Sequence, residues 1–132
     1  MEKEQYVSLE TSQLLKCKGF DWAVLTCYEN SEFRYVSLWN WNKFGASTLC
    51  SAPTQQMAMR WLRETHDIMI IPNRDKIVDV ASEPFYDYFC TIIHNGNEYW
   101  VSSLDLPEGQ HYTEYEDVVE AALQYCLKNI IK

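Results

Sequence analysis

Asn95-Gly96, set between two runs of β-forming residues, constrains this chain more than any other dipeptide in it. Both residue types tolerate positive φ, so the pair favours a two-residue turn whose twist matches the strands it joins. The flanking runs, residues 86–94 and 97–103, then form an antiparallel hairpin in which His94 faces Asn97 and Thr91 faces Trp100. A second pair of β-branched and aromatic runs, residues 22–28 and 33–39, brackets the turn Glu29-Asn30-Ser31-Glu32 and reads as an earlier hairpin.

Helices fill the rest. Ser8 is the expected N-cap of a short first helix with Leu14 and Leu15 on its apolar side and Gly19 as left-handed stop. The second begins at Pro53 or Thr54, with proline suited to the first helical position. It buries Met57, Ala58, Trp61 and Leu62 and stops near His66-Asp67. Ile68-Met69-Ile70-Ile71 is a buried strand ended by Pro72, and residues 76–80 are a further edge strand. Residues 40–52 read as irregular. The last helix opens on a Thr113/Glu116 capping box and repeats Val118, Val119, Ala122, Cys126 and Ile130 at helical spacing. The order α-β-β-α-β-(β)-β-β-α predicts an α+β fold: a two-layer sandwich in one domain, 1–132, with an antiparallel sheet of about five strands under two or three helices. An offset of 65 matches Thr26 with Thr91 and Tyr35 with Trp100, which suggests a duplicated ββα unit.

The chain has 132 residues and 47% hydrophobic residues, a globular composition with enough length for a core of its own. No run reaches the ~20 apolar residues of a membrane span, and the first five residues lack the apolar stretch of a signal peptide. Five scattered cysteines do not suggest a disulfide framework, so reduced thiols and a cytoplasmic location are expected. Net charge is −8, and its distribution is uneven. Acids and bases balance through residue 76, whereas residues 77–127 contain ten acids and neither lysine nor arginine. Such a field disfavours nucleic acid and anionic membranes and suits a basic protein partner. Arg60, Arg63, Arg74 and Lys76 would support nucleic-acid binding only if they formed one segregated patch.

Catalytic signals are sparse. There is no phosphate-binding glycine loop and no histidine or cysteine spacing typical of a metal site, so no cofactor is expected. Cys50, ahead of a helix N-terminus, is the sharpest candidate nucleophile, given a histidine beside it. Trp39-Asn40-Trp41, followed by Phe44, makes a contact platform where exposed and closes the core over the sheet's end where buried; burial of at least one tryptophan is expected, and the three aromatics are the candidate binding residues. Asp105 and Glu108 supply acidic groups to the same expected binding function.

The segment Ala52-Pro53-Thr54-Gln55, running into Arg60-Trp61-Leu62-Arg63-Glu64, together with Tyr115-Glu116-Asp117-Val118-Val119-Glu120-Ala121-Ala122-Leu123, resembles a group of small uncharacterised proteins. These are encoded in phages, prophages and mobile elements of Bacteroides-type gut bacteria. The resemblance implies intracellular expression and no particular activity. The expectation is a non-enzymatic accessory protein that binds a basic host or phage protein or a second copy of itself. A small enzyme with an unrecognised Cys/His site is the alternative.

Overall fold

A computed structural model describes residues 5–78, 80–81 and 83–132. The fold is α+β, with helices α1 (Leu9–Cys17), α2 (Gln55–His66) and α3 (Tyr115–Tyr125). Its strands are β1 (Val24–Glu29), β2 (Glu32–Trp39), β3 (Leu49–Ser51), β4 (Ile68–Ile77), β5 (Phe85–His94) and β6 (Asn97–Val101). They form two antiparallel three-stranded sheets, ordered β2-β1-β3 and β4-β5-β6, rather than the single sheet expected. The unforeseen strand is β3, three residues inside the stretch read as irregular. It pairs with the free side of β1 through Tyr28↔Cys50 and so completes the first sheet.

Both hairpins turn as their sequences suggest. Asn95 and Gly96 take positive φ, and so do Asn30 and Ser31. The registers Thr91↔Trp100 and Thr26↔Tyr35 are the expected ones, at the expected offset. The repeat stops there. In the first sheet the third strand follows the hairpin, and in the second it precedes it. The two ββα units therefore do not share one connectivity.

Pro72 does not end a strand, and β4 runs through it for ten residues. It faces Cys90 at the outer edge of the sheet, where a missing N–H leaves no ladder bond broken. Of the separate strand expected at 76–80, Lys76 and Ile77 are the end of β4, Val78 and Val80 lie beyond it outside any strand, and Asp79 lies outside the described residues.

Capping explains the helix ends. Ser8 Oγ accepts from the Thr11 N–H, and Phe20 N–H reaches back to Leu15 O around a left-handed Gly19. That wrap buries Phe20 against the helix. Thr54 caps α2, its Oγ1 accepting from Met57 N–H at 3.1 Å, so Pro53 stands one residue before the cap rather than inside the helix. Helix α3 begins after Glu114 without a side-chain cap, which removes the expected Thr113/Glu116 box. It closes in a single π-turn over Cys126–Ile130.

α2 and α3 cover one face of the second sheet, and α1 lies between α3 and β3. Alternation decides which side chains they bury. Ile68, Cys90, Ile92 and Val101 face the helices and join Trp61, Leu62, Val118, Val119 and Ala122 in one core. Among the described residues, the opposite face carries none of the three α-helices.

Candidate binding site on the open face of the second sheet

Because successive side chains alternate, each residue next to a core position points away from the helices. Met69, Ile71, Phe89, Thr91, Ile93 and Trp100 share this outer face. Trp100 is 68% exposed, and among the described residues no ring or cation stacks on it. The loop after β6 rises beside it as a wall. Together they enclose an open cavity of about 900 Å³, lined among others by Trp100, Phe89, Leu104, Leu106 and four carboxylates: Asp75, Asp87, Glu98 and Glu108. That is the size of an ordinary ligand or side-chain pocket. Among the described residues no lysine or arginine lines it.

Asp87 pins the wall in place. Its carboxylate accepts the Ser103 hydroxyl and lies 3.5 Å from His111 Nδ1. Ser103 Oγ in turn accepts from Tyr112 N–H at 3.1 Å, and Tyr88 N–H donates to Tyr112 O at 2.8 Å. The group contains Ser, His and Asp but is not arranged as a nucleophile triad, because the serine is bonded to the aspartate and not to the histidine. Asp105 acts locally. Its carboxylate accepts from Ser102 N–H and closes a short 3-10 turn over Ser103–Asp105.

The cavity is electrostatically one-sided. Asp75 and Asp87 face each other directly across β4 and β5, an arrangement that costs energy when both are charged. The carboxylates of Asp75, Glu98 and Glu108 have neither ion pair nor hydrogen bond among the described residues. Beneath the wall, burial and then the charges of Asp105 and Asp117 push the Tyr112 phenol up from its ordinary value.

The expected binding residues are thus divided between two places. Glu108 lines the cavity, while Trp39, Trp41 and Phe44 stand at the end of the first sheet. There the rings cluster, Trp39 lying 4.6 Å from Phe44 and 5.8 Å from Trp41, while Trp39 and Phe44 remain exposed. Trp41 is half-buried, its indole N–H shared between Val24 O and Ser37 O. The sequence places Trp100 only by its pairing with Thr91. Its real signal was parity, since it neighbours the buried Val101 and pairs with Thr91 rather than with Cys90 or Ile92.

Cys50 is not a loop thiol. It is buried in β3, and desolvation pushes its pKa up despite the nearby Lys16. A thiol held protonated is a weak nucleophile. The histidines lie elsewhere: His111 at the wall, and His66 near His94. Cys90 and Cys126 are core thiols pushed up to about 12 by burial. Among the described residues no group of three or more His, Cys, Asp or Glu could hold a metal ion, and no helix is long and apolar enough to cross a membrane.

The two segments quoted for the resemblance meet inside the fold. Gln55 donates to Glu116 O at 3.0 Å and to Glu120 Oε1 at 3.1 Å. Glu120 also accepts from Ser8 N–H, Ser8 Oγ and Thr11 Oγ1, the last at 2.6 Å. This carboxylate joins the starts of α1 and α2 to α3, so both segments have a structural role. Compared with protein-family models, curated proteins and solved structures, the chain finds no match.

Proposed function

We propose that this chain is a non-enzymatic accessory protein that acts by binding another protein, and that the open face of β4-β5-β6 is its contact surface. The observation that carries this reading is Trp100, 68% exposed at the floor of an acidic, walled cavity. An exposed tryptophan ringed by apolar side chains is the usual anchor of a protein interface. Met69, Ile71 and Leu104, all exposed around it, extend the apolar area. The carboxylates favour a basic partner and disfavour a second copy, whose matching face would bring like charges together. The resemblance to phage and prophage proteins supports a partner from the phage or its host, and a cytoplasmic setting.

The test is affinity capture of the tagged chain from a host that expresses it, read by mass spectrometry beside Trp100→Ala and Trp39→Ala. A basic partner kept by Trp39→Ala and lost by Trp100→Ala is the expected result. A partner lost by Trp39→Ala and kept by Trp100→Ala would move the contact surface to the first sheet and reject this one.

A further inference from the structure

We infer that the occupant of the open face is an extended segment of the partner bearing arginine or lysine, an inference that rests on the protein-binding reading above. The molecule contains its own precedent. The two hairpins have the same turn and the same register, so the face holding Thr26 and Tyr35 corresponds to the face holding Thr91 and Trp100. In the first sheet that face is occupied by the chain's own N-terminal segment. Tyr6 lays its ring 5.0 Å from Phe33 and 6.1 Å from Tyr35, and the Tyr28 hydroxyl donates to Val7 O. The segment is extended and fixed by backbone bonds at Val7 N–H to Pro53 O and Gln55 N–H to Gln5 O. Among the described residues, the second sheet presents the corresponding face with no such segment upon it.

Shape gives an extended chain, and charge gives its side chains. Asp75, Glu98 and Glu108 line the cavity without a cationic partner among the described residues, and Trp100 offers a free π face beside them. A guanidinium or ammonium group there would gain cation–π attraction and relieve the opposed Asp75 and Asp87. Arginine also stacks flat on an indole while bonding a carboxylate, which fits both surfaces at once. Addition to the outer edge of β4 is the less suited mode, because Pro72, Arg74 and Lys76 lie along that edge.

The experiment is a titration followed by nitrogen–proton correlation NMR at about 50 mM salt, where surface charge is incompletely screened. The probes are acetyl-Leu-Arg-Leu-Arg-Leu-amide and its counterpart with glutamine for arginine. The expected result is a shift of the Trp100 indole and of amides in residues 98–111, with affinity about tenfold higher for the arginine peptide. Asp75→Asn with Glu98→Gln should abolish that preference. Glu114→Gln with Asp117→Asn, which removes equal charge outside the cavity, should preserve it. Equal binding of the two peptides at Trp100 would overturn the cationic occupant and leave the protein-binding surface standing. Shifts spread evenly over all acidic surfaces, or loss of preference in both double variants, would also overturn it. A partner captured from cells that survives Trp100→Ala would instead remove the underlying reading.

Discussion

The two hairpins of this protein are nearly the same object in different settings. Each turns on two residues of positive φ, and each sets a threonine opposite a large, exposed aromatic: Tyr35 at 67% and Trp100 at 68%. Around Tyr35 the chain supplies Tyr6 and Phe33, and the aromatic group closes upon itself. Around Trp100 it supplies a wall, four carboxylates and, among the described residues, no stacked ring. Local sequence makes the hairpin, while segments distant along the chain decide whether its face is part of the structure or is available to something else.

Matched substitutions separate these roles. The largest effect should come from the helix-facing side. Ile92, fully buried beneath α3, corresponds to Cys27 at the offset of 65. Ile92→Ala should cost about 2–5 kcal/mol of unfolding free energy in urea. Cys27→Ala, which removes one buried atom from the first sheet, should cost roughly 1 kcal/mol. Equal losses would mean that the two sheets share the core evenly. The next effect is on binding. Trp100→Ala should weaken the captured complex by about 2 kcal/mol or more, roughly thirtyfold, with little change in thermal midpoint. Tyr35→Ala should do the reverse, lowering stability by about 1 kcal/mol through its lost ring contacts and sparing the complex.

The threonines sharpen the same contrast. Thr26 is buried and donates to Ala52 O at 2.6 Å, so Thr26→Val should cost about 1–3 kcal/mol. Thr91, half-buried on the open face, should tolerate valine within about 0.5 kcal/mol. Denaturant midpoints of the two variants check this directly. The turns give a smaller pair of opposite sign. A Cβ at Gly96 would meet no atom within 4 Å, so the cost of Gly96→Ala, about 1–2 kcal/mol, arises only from its φ of +78°. Ser31 already bears that strain at φ 69°, and Ser31→Gly should recover up to about 1 kcal/mol.

Much of this fold was legible because its signals are local. Asn95-Gly96 marked its turn and register, Ser8 marked a cap, and the spacing of Val118, Val119 and Ala122 marked a buried face. Features that depend on distant partners were not legible. Three residues of β3 carry too little pattern to declare a strand, and they become one because β1 has a free side. Pro72 looks like a terminator until its strand is known to be an edge. The candidate site was half visible: Glu108 was placed among binding residues, whereas Asp75, Asp87 and Trp100 converge only through the pairing of three strands. The conspicuous Trp39-Asn40-Trp41 does gather with Phe44 into one aromatic cluster, at the end of the other sheet, because these rings are adjacent in sequence.

Acid offers a final separation of the two sheets. The first contains no histidine, and at its turn Glu29 lies 3.5 Å from Arg34. At the corresponding position of the second stands His94, close enough to His66 to act on it. Burial, and secondarily the charge of His94, lowers the His66 pKa below its ordinary 6.5. Its Nε2 is buried without a hydrogen-bond partner among the described residues. The unfolded chain therefore takes up this proton at a higher pH than the native one. The resulting stability is fully present above the native and unfolded pKa values and declines as pH falls through 6.5 toward the lowered native value. Urea midpoints at about pH 7.5 and about pH 5.5, above and below the ordinary value of 6.5, should differ in the native protein and differ less in His66→Gln, which has no proton to gain. His94→Gln should leave part of the dependence, because desolvation, the larger cause, persists without its neighbour. An unchanged pH dependence in His66→Gln would assign the acid sensitivity to the carboxylates, and with it remove this distinction between the sheets.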